Sequence, residues 1–149
     1  MDDETERFIL HLLAHHNICT VATLRDDGYP QATTVAYVND GLEIYFGVGR
    51  DSQKVANIQR HNKVSLTVDH DYEDWGKIKG LSLGGTAEVV DDPAERQRIF
   101  DLIAAKFPQV REMPMPEDPQ AVVAIHVHPE VISVLDYTQG FGHTELIQV

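Results

Sequence analysis

Two tight turns lie close together near the start of the chain, Asp26-Asp27-Gly28 and Asn39-Asp40-Gly41, each flanked by β-rich residues. An Asx residue followed by glycine favours the positive-φ turns that join antiparallel strands, so this spacing dictates hairpins rather than crossovers. The strands it delimits are Ile18 to Leu24, Pro30 to Val38 and Leu42 to Val48, a meander of two hairpins. Lys63 to Val68 reads as a fourth strand and Lys77 to Val90 as a long fifth, with Gly84-Gly85 marking a bend or bulge. Ala121 to His128 and Val131 to Asp136, parted by Pro129-Glu130, are two more, and Thr144 to Val149 adds an edge segment. Strands in hairpin order with helices inserted between them, not alternating, predict an α+β, mainly β domain: a six- to seven-stranded antiparallel barrel with flanking helices.

Three helices interrupt the strands. Asp2 to His15 places Phe8, Ile9, Leu12 and Leu13 on one face, with acids in the first turn and histidines in the last, as the helix dipole favours. Asp92-Pro93-Ala94-Glu95 combines an N-cap aspartate, proline at the first helical position and an acid near the start. That helix presents Ile99, Leu102, Ile103 and Phe107 to the core, and Pro108 stops it, leaving a proline-rich loop from Pro108 to Pro119. A short helix beginning at Asp51 or Ser52 and ending near His61-Asn62 follows the third strand.

The approach to this short helix is Gly47-Val48-Gly49-Arg50-Asp51-Ser52-Gln53-Lys54. A helix N-terminus carries partial positive charge and unsatisfied N–H groups, so Arg50 and Lys54 are misplaced there unless an anion sits between them. Two glycines, the Ser52 hydroxyl and two cations describe a phosphate cradle, although the Walker spacing is absent. The plainer alternative is that Asp51 or Ser52 caps the helix while Arg50 and Lys54 point into water.

One domain spanning residues 1–149 is expected from the length. The lone Cys19 excludes a disulfide framework, and a net charge of -12 argues against nucleic acid or an anionic membrane as a partner. The amino terminus, Met1-Asp2-Asp3-Glu4, has neither the basic residues nor the apolar run of a signal peptide or membrane span, so a cytoplasmic protein is expected.

The order of these features resembles a known family. Gly28-Tyr29-Pro30-Gln31-Ala32-Thr33-Thr34, a strand ending in Tyr45-Phe46, then Ser52-Gln53-Lys54-Val55-Ala56-Asn57-Ile58, and later Gly85-Thr86-Ala87-Glu88-Val89-Val90 before a helix, is similar to the pyridoxamine 5'-phosphate oxidase-like, FMN-binding split-barrel proteins. The resemblance implies a split barrel and a homodimer with FMN in clefts at the subunit interface, acting as an oxidoreductase on a small molecule. It places Ser52, Gln53 and Lys54 at the phosphate, with Arg50 as a helper, and Gln31, Ala32, Thr33, Thr34 and Val35 along the isoalloxazine ring. Related branches of the same fold are similar to deazaflavin (F420) reductases and to haem-binding or haem-degrading proteins, and a non-catalytic flavin carrier or sensor is the alternative of another class. Lys77, with Lys79, is the only hint of the basic groove that F420 needs.

Three further features stay open between function and packing. Trp75, between Asp71-Tyr72-Glu73-Asp74 and Lys77, reads either as the rim of the cleft or as loop packing. His143, in a glycine-rich tail, reads as a cofactor contact across the dimer, the first residue to suspect for haem, or as an exposed histidine. His126 and His128 share one strand face, but no carboxylate or cysteine has a diagnostic spacing from them, so no metal site is assigned. The resemblance also has a limit: no lysine or arginine follows Arg111, so the carboxy-terminal strands lack cations for a second phosphate. The flavin-loaded protein is therefore expected to turn over pyridoxine phosphate poorly. A peroxide-release assay checks this, and a kcat/KM on the order of 10⁴ M⁻¹s⁻¹ or higher would overturn it.

Overall fold

The computed structural model describes residues 1–149 and consists of one eight-stranded antiparallel sheet and three helices. The strands are β1 (Ile18–Leu24), β2 (Pro30–Ala36), β3 (Val38–Asp40), β4 (Glu43–Gly49), β5 (Lys63–Val68), β6 (Lys79–Val90), β7 (Val122–Asp136) and β8 (Thr144–Gln148). The helices are α1 (Asp3–His15), α2 (Gln53–Arg60) and α3 (Pro93–Lys106), capped by Asp2, Ser52 and Asp92 in turn. Each cap side chain accepts a backbone N–H of its first turn, the local chemistry that made these helix starts readable.

The strand order is β2-β1-β5-β6-β7-β4-β3, with β8 added along β7. β2 and β3 therefore occupy opposite ends of the order although only Tyr37 separates them in the chain. The sheet must curl until its two ends meet at that residue, which is the split barrel. The expected single strand from Pro30 to Val38 is thus two strands broken at Tyr37. The break has a cause: Tyr37 is fully buried, and its hydroxyl donates to the Leu13 carbonyl of α1 over 2.7 Å.

Two other expectations change. Trp75–Lys77 forms a 3-10 turn, not the start of β6. The strands expected on either side of Pro129-Glu130 are one continuous β7, because a register shift at Gly84/Gly85 of β6 absorbs the irregularity. Opposite it, Gly85 pairs with Pro129 and Gly84 with Val131, leaving Glu130 as the bulged residue.

The alternation along the strands separates two faces. The inner face, with Val21, Phe46, Leu66, Leu83, Ile125 and Val127, forms the main core together with Ile9, Leu12 and Leu13 of α1 and Val55 and Ile58 of α2. Cys19 belongs to this core, and burial pushes its thiol pKa up to about 12. On the outer face a smaller cluster of Tyr45, Val90 and Ala124 packs beneath Ile99 of α3. No helix is long and apolar enough to cross a membrane.

Gly85 sits at the bulge where β7 crosses closest. A Cβ there would collide with the His128 carbonyl and lie 3.1 Å from Pro129 Cα, both backbone atoms that cannot turn aside, whereas at Gly84 it would meet only the Val131 side chain at 3.3 Å. Gly85→Ala is expected to destabilise the fold by about 2 kcal/mol or more, and Gly84→Ala by clearly less. Urea unfolding of the two variants checks the order.

Candidate functional site

The short helix α2 begins where β4 ends, and its first turn contains no acidic side chain. Ser52 is the N-cap: its hydroxyl accepts the Lys54 backbone N–H at 3.2 Å. The Lys54 ammonium reaches across to β2 and donates to Thr33 Oγ1 at 2.9 Å, and it enters no ion pair. Ser52 and Lys54 thus meet Thr33, 21 positions before Lys54 in the chain, at one half-buried point on the positive end of the α2 dipole.

The second turn of α2 locks this arrangement from below. Asn57 is fully buried and donates to Thr23 Oγ1 at 2.9 Å and Gln31 Oε1 at 3.2 Å, while its own oxygen accepts from Gln53 Nε2 at 2.8 Å. One side chain therefore ties β1, β2 and α2 together. Nothing in the residue spacing announced it, because its partners come from strands 26 and 34 positions away.

The strand alternation divides the residues expected along a flavin ring. Gln31, Thr33 and Val35 turn inward toward α2 and the core, whereas Ala32 and Thr34 lie on the opposite, exposed face of β2. That outer face continues across Thr20 and Ala22 of β1, Ser65 and Thr67 of β5, Ser82 of β6, Ser133 of β7 and Leu146 of β8. It carries mostly small and hydroxyl side chains, with Lys63 at its β5 end, and no helix covers it.

In this structure Arg50 turns away from the cradle and holds the loop at Gln120. Its Nε donates to the Gln120 carbonyl at 2.6 Å, Nη2 donates to Gln120 Oε1 at 3.1 Å, and its backbone N–H donates to Ala121. Arg96 of α3 fastens the same stretch by donating to the carbonyls of Pro119 and Val122. The misplaced charge that Arg50 seemed to present at the helix start is resolved by this turn away from it, and only Lys54 remains.

Trp75, Lys77 and His143 stand apart from the cradle in the same chain. Trp75 is exposed and borders a cleft with Tyr72, Lys79 and Leu135. Lys77 closes the 3-10 turn by donating its backbone N–H to Asp74. His143 lies in the turn before β8, beside the acidic side chains Asp2, Glu4, Asp136 and Glu145. A larger cavity, about 630 Å³, opens between α1 and the segment after β5, lined by His11, His15, His16, His70, Tyr72 and Lys79. His16 is buried there, its Nδ1 2.7 Å from the Leu12 carbonyl and its Nε2 without any partner.

With the curled sheet, the bulge and the α2 cradle in place, the likenesses to known proteins follow. Residues 2–136 match the family model described as pyridoxamine 5'-phosphate oxidase. The chain belongs to this family. General stress protein 26 of Bacillus subtilis (strain 168) is 23% identical over 128 residues, 86% of each chain. A conserved hypothetical protein from Mycobacterium tuberculosis shares the fold with a TM-score of 0.78 and 24% identity, covering 97% of this chain and 91% of that one. A heme binding protein from Mycobacterium smegmatis superposes with a TM-score of 0.79 at 16% identity, covering 99% of this chain and 59% of that one.

Asn57→Ala is expected to cost about 2 to 3 kcal/mol in folding free energy, since it leaves polar atoms of Thr23, Gln31 and Gln53 unpaired or forces them outward. Urea unfolding measures the loss, and a change below about 0.5 kcal/mol would mean that the network is not holding α2 to the sheet.

Proposed function

We propose that the protein binds FMN with its phosphate at the first turn of α2, works as a homodimer, and is a flavin-dependent oxidoreductase of a small molecule in the cytoplasm. The carrying observation is Lys54: a half-buried ammonium with no carboxylate partner, at the start of a helix with no acid in its first turn, held at the Thr33 hydroxyl. A phosphate dianion satisfies the ammonium, the Ser52 and Thr33 hydroxyls and the helix N–H groups at once. Gln31, fixed by Asn57, and Val35 continue from that point along β2 and give a flavin ring a polar contact and an apolar one.

FMN supplies the hydride and electron transfer when bound, and the chain supplies its grip and its surroundings. The core thiol Cys19 stays out of that chemistry, being buried and raised in pKa. A reduced, lone thiol also suits the cytoplasm. The outer face of small and hydroxyl side chains from Ala32 and Thr34 to Leu146 supports the dimer, since a bare sheet face of this kind is stable once a second copy covers it. Trp75, Lys77 and His143 of the same chain have no part in this reading. The acids around His143 would repel a phosphate there.

Haem is the second reading, favoured by one observation: the histidine-lined cavity beside α1, with the unpartnered His16 Nε2. A haem-binding relative of the same fold makes it worth separating. The visible spectrum of the purified protein does so directly.

Lys54→Ala is expected to weaken FMN binding by about 1.5 to 3 kcal/mol and to leave riboflavin, which lacks the phosphate, nearly unaffected. Fluorescence titration of both ligands checks this, and an equal loss for both removes the phosphate role. Sedimentation followed at the flavin absorbance should show the ligand travelling with a dimer. A loaded monomer would remove the homodimer from the proposal.

A further inference from the structure

Away from the α2 cradle, the outer face of the sheet carries a compact group of four side chains that the FMN reading does not use. Glu43 ends the β3–β4 hairpin, Glu88 lies on β6, and His126 and His128 lie two apart on β7. The register assembles them: Glu88 pairs directly with His126, and Ile44 with Val127, which sets Glu43 opposite His128. All four are on the face that α3 covers only as far as Tyr45. No spacing along the chain could show this, since the carboxylates stand 83 and 40 positions from the histidines they meet.

The two imidazole rings lie 3.8 Å apart between the two carboxylates. His126 Nε2 is 3.1 Å from Glu43 Oε2, and His126 Nδ1 is 3.7 Å from Glu88 Oε1. His128 Nδ1 is 3.3 Å from the same Glu43 oxygen, and His128 Nε2 is 3.2 Å from the same Glu88 oxygen. Every ring nitrogen thus faces a carboxylate oxygen. A neutral imidazole has one N–H and one lone pair, so in each ring one nitrogen sets a lone pair against an anion. Protonating both rings would place two cations with their centres 3.8 Å apart. A single metal ion on the Glu43 side takes one lone pair from each ring and leaves both N–H groups facing Glu88.

We propose that Glu43, His126 and His128 bind a divalent first-row transition metal ion, Zn²⁺ above all, with Glu88 set against the ring nitrogens that the ion leaves free. Two imidazoles with one carboxylate and an open fourth position are a donor set that Zn²⁺ takes at about 2.0 to 2.2 Å per ligand, which puts neighbouring ligand atoms of a tetrahedron about 3.3 to 3.6 Å apart. The separations of 3.1 Å and 3.3 Å from Glu43 Oε2 to His126 Nε2 and His128 Nδ1 are close to that size, and one ligand atom each from Glu43, His126 and His128 lies within 4.8 Å of the others. The imidazole of His126 is shielded while Glu43 and His128 are partly open to solvent, so an ion has a way in. The metal would clamp β4 to β7, with Glu88 of β6 bracing the rings from behind.

The experiment is Zn²⁺ titration of the chelator-treated full-length protein by calorimetry, with Co²⁺ as a coloured probe. One ion per chain is expected, with the strong visible absorption of four-coordinate Co²⁺. His128→Ala and Glu43→Gln, both at partly exposed positions, are each expected to weaken Zn²⁺ binding by roughly 10- to 100-fold or more and to abolish the Co²⁺ colour while circular dichroism stays unchanged. FMN affinity should be unaltered in both, which separates this site from the cradle. Absence of saturable binding overturns the proposal. So does Zn²⁺ binding that both variants retain at full strength, because the ion would then belong to other histidines such as those beside α1.

Discussion

The barrel closes on one residue. Tyr37 is the point where the chain leaves one edge of the sheet and joins the other, and its burial is the constraint that the curvature depends on. Its hydroxyl is held by α1, its backbone N–H donates to the Asn17 carbonyl, and its own carbonyl accepts from the Lys106 ammonium at 3.1 Å. Lys106 also donates to the His16 carbonyl and lies 4.2 Å from the centre of the Tyr37 ring. Burial lowers the pKa of this lysine, and the two carbonyls and the ring face are what hold its charge in place. The last turn of α3 and the end of α1 are therefore fastened to the same closure point. With the curl set there, β2 is carried round to α2, and Thr33 comes to meet Lys54.

Local features were legible in the residues and non-local ones were not. Asp2, Ser52 and Asp92 declare their helices because a cap and its partner lie within three positions. β5 was read at its observed bounds since its apolar alternation is strict. The split at Tyr37 was hidden, because Ala36-Tyr37-Val38 has the same β-rich composition as a continuous strand, and only the packing of the ring on α1 interrupts it. Likewise Pro129-Glu130 looked like a chain break, whereas a two-glycine partner strand lets the bulge pass through a continuous β7.

The candidate site divides in the same way. Ser52 and Lys54 were visible as a charge conflict at a helix start, which is a property of a few consecutive residues. Arg50 shared that conflict on paper, and its true partner is a loop 70 positions later. Asn57, inside the quoted motif, was passed over because its role comes from Thr23 and Gln31 on other strands. The four side chains around His126 and His128 needed the registers of three strands before they could be seen together.

The fastening of Gln120 has a mechanical meaning. Arg50 from the cradle side and Arg96 from α3 grip the chain between Pro119 and Val122. The segment from Pro108 to Asp118 is mostly exposed, and only short 3-10 turns stiffen it. Whatever excursions that segment makes, they end at this double anchor instead of reaching β7 or the Gly49-Arg50 backbone. The barrel is thus separated from this exposed loop. Changes of length or sequence there can accumulate over evolution without being felt at the phosphate end of α2.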